Sequence, residues 1–337
     1  MIMNDNEILR IIKTEDREEI EALFAQACNV RKEHYGKSVY IRGLIEFTNY
    51  CKNDCYYCGI RCSNTNLEHY RLSTAEILDC CRTGEKLGIK TFVLQGGEDP
   101  FFTGERAAEI IRAIRQEFPE HAITLSIGER TMADYELFFR SGANRYLLRH
   151  ETAADWHYAK IHPPCMTLAN RIKALQTLKE IGYQTGAGFM VGSPFQTPEC
   201  LLADIRFLEE FQPHMVGIGP FIPQKDTPFG MYLPGGLTLS LKMIALTRIL
   251  LPKALIPAAT ALATASPNGR ELALNAGANV IMPNLSPASV KKMYAIYDNK
   301  VSGGQEAAEN LLNIKEKITS AGFIPDMSRG DAINSLP

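Results

Sequence analysis

Three cysteines in one short segment are the residues of this chain best suited to metal chemistry. Cys51, Cys55 and Cys58 are separated by three and then by two residues. Their thiolates can therefore surround a single iron-sulfur cluster, since thiolates are the soft ligands that such clusters use. A cluster of four irons held by only three thiolates leaves one iron free to bind a chelating ligand. The spacing thus predicts a 4Fe-4S centre with a reactive position.

The alternative for this segment is a structural zinc site with Cys62 as the fourth ligand. Zinc modules normally use two ligand pairs that are well separated in sequence, which disfavours zinc here. We expect Cys62 to be a solvent-exposed thiol without a ligand role. The chain has nine cysteines, an odd number that suits a reducing compartment better than a disulfide framework. The remaining cysteines are predicted to be small buried hydrophobic residues: Cys28, Cys80, Cys81, Cys165 and Cys200.

The cysteines must be positioned by the elements around them, and the pattern of those elements predicts a barrel. Eight short apolar runs recur, each followed by a stretch with helical periodicity, which is typical of a parallel sheet covered by helices. Eight such units close an α/β fold of the (β/α)8 TIM type without free edges, and the cysteine loop follows the first strand at the C-terminal face. The predicted strands are Val39 to Phe47, Lys90 to Gln95, Ala122 to Ile127, Arg145 to His150, Gln184 to Val191, Met215 to Phe221, Ile256 to Leu262 and Asn279 to Pro283.

The sequence predicts one barrel domain with an N-terminal helical extension. Residues 1–36 have helical character and precede the first strand, and residues 37–337 contain the barrel together with a C-terminal amphipathic helix within residues 301–326. Ser73 and Glu76 form a capping-box pattern at the start of one barrel helix, and Thr197 and Pro198 open another that runs to about Phe211.

Composition excludes several functional classes. With 36 basic and 38 acidic residues, the chain has a formal charge of -2, so we expect no nucleic-acid surface. The charged N-terminal segment lacks the apolar core of a signal peptide, and no apolar stretch reaches the roughly 18 residues that would span a bilayer. We therefore expect a cytoplasmic protein that does not bind membranes.

Two motifs together resemble the signature of the radical S-adenosylmethionine superfamily. The first is the cysteine run with an aromatic residue, Tyr57, immediately before the last cysteine. The second is Gly96-Gly97-Glu98 after the second strand, where glycines let the backbone approach a ligand closely. The resemblance implies a 4Fe-4S cluster whose open iron binds S-adenosylmethionine, and reductive cleavage of that cofactor to a 5′-deoxyadenosyl radical.

From about Val39 to Tyr297 the chain resembles the HydE family, the radical S-adenosylmethionine maturases of iron-iron hydrogenases. The segments that carry this resemblance are RYLLRHETA, TGAGFMVG, MVGIGPFIPQKDTP, LKMIALTRILLP and GANVIMPN. The resemblance implies that Glu151 binds the ribose and Arg171 the carboxylate of S-adenosylmethionine. It also places Tyr57 and Met190 near the adenine.

The same resemblance implies a substrate cavity deeper in the barrel. Two of its residues, Arg145 and Arg149, lie four positions apart on a strand and therefore point the same way. Two inward arginines are costly unless they meet anions, which favours a substrate with a carboxylate. The residues that would line this cavity are Ser126, Arg145, Arg149, Thr260, Met282 and Tyr297.

The expected function is reductive cleavage of S-adenosylmethionine, with the radical acting on a small carboxylate- and sulfur-containing substrate during assembly of the hydrogenase H-cluster. No cysteine follows Cys200, so a single cluster is expected. The expected partners are a small-molecule substrate, an external electron donor and the other hydrogenase maturases. A 3-methylornithine synthase and a non-enzymatic iron-sulfur scaffold remain alternatives. Biotin synthase is disfavoured, because the strands lack the cysteines of its second cluster.

Overall fold

A computed structural model describes residues 3–300 and 307–333 of the chain. Two helices come first, α1 (Asp5–Lys13) and α2 (Arg17–Tyr35). The strands are β1 (Ser38–Ile41), β2 (Gly43–Thr48), β3 (Thr91–Gly96), β4 (Ala122–Ser126), β5 (Arg145–Leu147), β6 (Gln184–Val191), β7 (Met215–Pro220), β8 (Val280–Ile281) and β9 (Ile324–Asp326). The later helices are α3 (Thr74–Lys86), α4 (Gly104–Glu117), α5 (Met132–Arg140), α6 (Asp155–Ile161), α7 (Leu168–Ile181), α8 (Pro198–Phe211), α9 (Leu237–Leu250), α10 (Thr260–Ala265), α11 (Gly269–Asn275), α12 (Ala288–Lys291) and α13 (Ala307–Ser320).

The strands form a parallel barrel. Six of them hydrogen-bond in the order β2-β3-β4-β5-β6-β7, and β1 pairs with both β8 and β9. Single parallel bridges complete the circle, joining Met215 to Leu255, Pro257 to Val280 and Leu44 to Asn284. Because the strands are parallel, their carboxyl ends lie at one rim, where barrel enzymes build their active sites. The predicted α/β barrel is confirmed.

Two predicted strands differ in detail from the observed ones. The first, Val39 to Phe47, is interrupted at Arg42, so that β1 pairs with β8 and β9 while β2 pairs with β3. The seventh, Ile256 to Leu262, is reduced to isolated bridges, and helix α10 begins at Thr260. Pro257 has no N–H to donate to a ladder, which explains why a continuous strand does not form there.

The predicted helical extension consists of α1 and α2, with residues 1 and 2 outside the described residues. Asn4 caps α1 in a capping box with Glu7, and Asp16 caps α2 by accepting from two backbone N–H groups. Both helices pack against α9, and α1 also packs against α8. The extension therefore braces the outer wall of the barrel behind β6 and β7. The capping box predicted for Ser73 and Glu76 is present at α3.

A short C-terminal segment closes the opposite, N-terminal end of the barrel. After α13 the chain forms β9, and the residues that follow bind the barrel interior. The Arg145 guanidinium donates to Asp331 Oδ1 and to the Arg329 carbonyl at 2.9 Å each. Arg42 donates to the Gly330 carbonyl at 3.0 Å. The sequence predicted only the helix, whose first six residues in that prediction, 301–306, lie outside the described residues.

This arrangement corrects the prediction for Arg145. Its side chain does point into the barrel, but it lies at the N-terminal end, fully buried, and its charge is balanced by Asp331. Arg145 is absent from the lining of the cavity that holds the other predicted substrate residues. Arg145 and Arg149 lie four positions apart on an extended segment, roughly 13 Å along the chain. Their side chains therefore enter the barrel at different levels along its axis.

None of the helices within residues 3–300 and 307–333 combines the length and the apolar character that a membrane crossing requires.

Replacing Asp331 with Ala should destabilise the protein by about 2 kcal/mol, because the buried Arg145 guanidinium would lose its charged acceptor. The change also removes the hydrogen bond from Gln184 to Asp331. Urea-induced unfolding measures the difference. The exposed Glu316 serves as the matched control, and Glu316→Ala should change stability by less than about 0.5 kcal/mol.

The same pair predicts a pH dependence. Burial opposes ionisation of Asp331, but the hydrogen bond and the charge of Arg145, together with Gln184 and Arg329, outweigh it and lower the pKa of this carboxyl. The stabilisation is therefore complete above the unfolded carboxyl pKa of about 3.9 and is lost as the pH falls through the lower folded value. The difference between wild type and Asp331→Ala should shrink below about pH 4. A difference that stayed constant down to pH 2 would contradict this role for the carboxylate.

Candidate active site

The cysteine loop lies at the C-terminal rim and is held by the neighbouring loops. Lys52 donates its backbone N–H to the Glu98 carbonyl at 2.9 Å. On the other side, Tyr56 donates to the Ile161 carbonyl at 3.1 Å and accepts from Phe229 at 3.2 Å. The loop after β2 is thus tied to the loops after β3, α6 and β7. These hydrogen bonds fix the loop, which itself has no regular secondary structure.

Cys51, Cys55 and Cys58 line one cavity and are all free thiols. Burial raises the pKa of Cys58 to about 12, and the neighbouring Cys51 adds to the shift. Burial and the other two thiols likewise raise the pKa of Cys55. The thiolate is the ligand form. Because their pKa values are raised, these thiols would lose their protons only when they bind a positively charged centre that stabilises the thiolates. The donor set therefore fits an iron-sulfur cluster.

Cys62 is exposed and does not line this cavity. Among the described residues, no three His, Cys, Asp or Glu side chains converge on a point suited to a single metal ion. The three cysteines are instead all part of the lining of one cavity.

The glycine pair after β3 packs directly under the cysteine loop. A Cβ atom on Gly97 would lie 2.2 Å from the Tyr50 carbonyl oxygen and 2.8 Å from Cys51 Cβ. No other residue fits this close approach. The adjacent Glu98 is nearly buried, and its carboxylate accepts from the Glu129 N–H at 2.8 Å and lies 3.3 Å from Lys52 Nζ. Gly96, Gly97 and Glu98 all line the cavity.

Glu151 lies in the cavity wall with a backbone conformation that is rare for side-chain-bearing residues. Its φ is 66°, in the left-handed region, which costs about 1–3 kcal/mol for such a residue. Its Oε2 lies 2.9 Å from Arg149 Nη2 but has no hydrogen-bond partner in the structure, and Arg149 Nε has none either. Buried polar atoms without partners at a cavity wall are suited to binding a polar ligand.

Arg171, on α7, reaches the same wall. It donates to Glu129 Oε1 and to the Arg149 carbonyl at 2.5 Å each. Although burial opposes its charge, the neighbouring Tyr158 and Glu129 raise its pKa, so it stays cationic. The sequence prediction missed Glu129. Its position three residues after the end of β4 was the available signal, because polar residues that follow barrel strands gather at the active rim.

Tyr57 and Met190 belong to an apolar part of the cavity that the cysteines line. Both contact a small cluster of buried side chains that includes Phe221 and Phe229. The Tyr57 hydroxyl lies 3.0 Å from His162 Nε2. His162 Nδ1 must donate to the Tyr158 carbonyl, so Nε2 accepts from Tyr57. Burial lowers the pKa of His162 to about 3, which keeps this histidine neutral.

A second cavity continues from the first toward the barrel centre. The two have volumes of about 260 and 290 Å3 and share Gly96, Arg149, Glu151 and Arg171 in their walls. Five of the six residues predicted to contact the substrate line the inner cavity, with Arg145 the exception. These five are Ser126, Arg149, Thr260, Met282 and Tyr297.

A buried ion pair in the inner cavity was not predicted. Lys300 Nζ contacts Glu46 Oε1, and Asn284 donates to Glu46 Oε2 at 2.8 Å. Both charged side chains are nearly inaccessible to solvent. A single acidic residue within the apolar run of the first strand was the only sequence signal for this pair.

Comparisons with known proteins give consistent results. A family model described as the radical SAM superfamily matches residues 45–208. The chain is 48% identical to the FeFe hydrogenase maturase subunit HydE of Thermotoga maritima, over 85% of this chain and 81% of that protein. It is 29% identical to the 3-methylornithine synthase of Methanosarcina barkeri, over 96% of this chain and 90% of that protein.

Solved structures agree on the fold. The crystal structure of methylornithine synthase (PylB) matches with a TM-score of 0.88 at 28% identity, covering 97% of this chain and 95% of that one. The structure of HydG, a maturase of the FeFe-hydrogenase, matches with a TM-score of 0.81 at 21% identity, covering 97% of this chain and 73% of that one. At that identity the HydG likeness concerns the fold alone.

Replacing Gly97 with Ala should displace the cysteine loop, because the new Cβ would collide with the Tyr50 carbonyl and with Cys51. We expect the iron content after anaerobic reconstitution to fall to less than half of the wild-type value. Gly236→Ala is the matched control, since its nearest neighbour would be 3.9 Å away and its φ is -69°. Equal iron content in the two variants would contradict this requirement for Gly97.

Proposed function

Since this chain belongs to the HydE family of radical S-adenosylmethionine enzymes, which act in hydrogenase maturation, we propose that its outer cavity cleaves S-adenosylmethionine and its inner cavity holds the substrate. The observation that supports this division is the continuity of the two cavities through Arg149 and Glu151. A radical formed in the outer cavity would therefore arise directly beside the inner one.

Family membership implies a 4Fe-4S cluster and S-adenosylmethionine. We propose that Cys51, Cys55 and Cys58 hold one cluster, that Cys62 takes no part, and that the chain binds no second cluster. When bound, the cluster and S-adenosylmethionine supply a 5′-deoxyadenosyl radical after reduction by one electron. Cys62 is exposed and lies outside the cavity, whereas the three half-buried cysteines line it, and this contrast supports the assignment.

The residues around the outer cavity suit the parts of S-adenosylmethionine. Glu151 Oε2 is ion-paired with Arg149 but accepts no hydrogen bond from the described residues, so it can accept from the ribose hydroxyls. Arg171 keeps its charge and can bind the carboxylate, although Glu129 already occupies one side of it. Tyr57 and Met190 offer an apolar surface to the adenine. The backbone of Gly96, Gly97 and Glu98, which line the same cavity, would hold the amino group.

The inner cavity suits a small substrate that carries a carboxylate. Arg149 presents a guanidinium to this space, and its Nε lacks a hydrogen-bond partner. Ser126, Thr260 and Tyr297 add hydroxyl groups, and Met282 adds a polarisable thioether that suits sulfur compounds. The partners that follow from this proposal are the small substrate, an external one-electron donor and the other hydrogenase maturases.

The mutase alternative has a weaker basis. The fold of 3-methylornithine synthase is closely similar, but its sequence is 29% identical against 48% for HydE. Fold similarity alone does not assign function, because the same barrel supports many reactions.

Production of 5′-deoxyadenosine from S-adenosylmethionine and dithionite under anaerobic conditions tests the activity. Replacing any one of Cys51, Cys55 or Cys58 with Ser should lower this product at least about 100-fold, because the cluster loses one of its three ligands. Chromatography of the quenched reaction measures it.

Cys62→Ser is the matched control and should retain the cluster and the wild-type rate within about twofold. Loss of the cluster in Cys62→Ser would overturn the ligand assignment. A fully reconstituted wild-type protein that forms no 5′-deoxyadenosine would favour the scaffold alternative.

Replacing Arg149 with Ala should separate substrate use from cofactor cleavage. We expect uncoupled 5′-deoxyadenosine formation within about threefold of wild type, but a loss of at least about tenfold in hydrogenase activation, since one charge-assisted contact is worth about 1.5–3 kcal/mol. Cell-free maturation of an iron-iron hydrogenase, followed by its hydrogen uptake, measures the second quantity. The exposed Arg106 provides the control variant Arg106→Ala. Equal losses in both assays would place Arg149 in the cofactor site instead.

A further inference from the structure

Glu151 projects from a strained backbone position, and the structure shows what holds it there. We propose that His150 and Asp204 form a buried positioning pair that fixes the backbone on both sides of Glu151 and thereby aims its carboxylate at the ribose of S-adenosylmethionine. This inference rests on the ribose-binding role proposed above for Glu151. Neither His150 nor Asp204 lines either cavity, so any effect on the cofactor must act through the backbone between them.

His150 connects the strand end to the neighbouring strand β6. Its Nδ1 accepts from the Gly188 N–H at 3.3 Å, and its Nε2 lies 3.2 Å from Asp204 Oδ1. Because Nδ1 accepts, the ring proton is on Nε2 and is donated to Asp204. The next residue, Glu151, donates its own N–H to the Gly188 carbonyl at 3.1 Å, and its carbonyl accepts from Met190. Both polar backbone groups of Gly188 are therefore used by residues 150 and 151.

Asp204 fixes the other side of Glu151. Its Oδ1 also accepts from the Ala153 N–H at 2.5 Å. One carboxyl oxygen on α8 thus holds residues 150 and 153, with Glu151 between them. Within the part of the chain that the structure describes, Oδ2 has no hydrogen-bond partner, so the two contacts of Oδ1 are the hydrogen bonds that account for the burial of this carboxyl.

The surroundings leave this pair no room to shift. His150 packs edge-on against Phe207 of α8, with ring centroids 4.6 Å apart. Gly188 has a φ of 154°, and a Cβ there would lie 2.1 Å from the Gly217 carbonyl oxygen. The strand that receives Glu151 is therefore held against β7 as well. A side chain whose backbone is fixed in this way already points toward the ligand site before the ligand binds.

The hydrogen bonds of this pair decide the choice of variants. Burial, with Arg149 and Arg171 nearby, lowers the pKa of His150 to about 3. Burial also raises the pKa of Asp204 well above its usual value. Because the contacts of Asp204 to His150 and to Ala153 both end on Oδ1, the oxygen of an amide can take the place of this acceptor. Asn at position 204 should therefore preserve the pair, while Leu, of similar size, removes the acceptor.

The test compares Asp204→Leu, Asp204→Asn and wild type in the anaerobic, cluster-loaded protein. We expect Asp204→Leu to raise the KM for S-adenosylmethionine about tenfold in dithionite-driven 5′-deoxyadenosine formation. Its kcat should stay within about threefold, and its iron content should be unchanged. Asp204→Asn should keep the wild-type KM within about twofold. If Asp204→Asn keeps the wild-type KM, the role of this residue does not require a negative charge.

Asn279→Leu is the matched control for general destabilisation. Asn279 is equally buried, and its Oδ1 likewise accepts from one backbone N–H, that of Ile256, and from one side chain, Arg248. This variant should lose a similar amount of thermal stability but keep the wild-type KM. If Asp204→Leu does not yield folded protein, His150→Phe, which keeps the ring and removes both nitrogens, takes its place with the same expected rise in KM.

An unchanged KM in Asp204→Leu, or the same rise in Asn279→Leu, would overturn the positioning role. A wild-type protein without 5′-deoxyadenosine formation would instead contradict the proposed activity itself. The two failures are therefore distinguishable within one set of assays.

Discussion

The parallel register of β2 through β7 is the constraint on which the rest of this structure depends. Parallel strands in a closed barrel present all their carboxyl ends at one rim, so the loops after them converge without any direct preference for one another. The cysteine loop after β2, the glycines after β3, Glu129 after β4 and Glu151 after β5 meet there because of this register. An antiparallel neighbour at any of these strands would have sent its loop to the opposite end. The position of the cavity is therefore set first by the direction of the strands and only then by contacts between the loops.

Oppositely charged side chains pair inside the barrel at three levels along its axis. At the N-terminal end Arg145 meets Asp331, in the middle Lys300 meets Glu46, and at the rim Arg171 meets Glu129. Buried charges are tolerated when they are paired and hydrogen-bonded, and each of these pairs meets that condition. Glu151 and Arg149 differ from them, because atoms of both side chains lack hydrogen-bond partners at the junction of the two cavities. The proposed function uses this junction, where Glu151 and Arg149 form an ion pair whose polar atoms are only partly satisfied by the described residues.

Rigidity at the rim comes from networks that lie outside the cavity. His162 supports Tyr57 from behind, and the His150–Asp204 pair supports Glu151 in the same indirect way. In both cases burial keeps the histidine neutral, so each ring has one donor and one acceptor nitrogen with fixed roles. Such supports hold a residue in a conformation that its own backbone preference would not select. The N-terminal helices contribute from further out, by packing on the helices that cover β6 and β7.

The sequence by itself determined the barrel, the grouping of the three cysteines and most of the cavity lining, because these follow from local spacing and from residue chemistry that survives in any packing. The three thiols, the glycine pair and the alternation of strands and helices are of this kind. Only the tertiary structure decided which partner each buried charge would meet. Arg145 and Arg149 share a face of one strand, yet the chain's own Asp331 neutralises the first while the second faces the cavity. The segment that supplies Asp331 lies 186 residues away in sequence, and no local pattern carries information about a contact over that distance. Lys300 and Asp204 were missed for the same reason, since their roles arise from pairing between elements that only folding brings together.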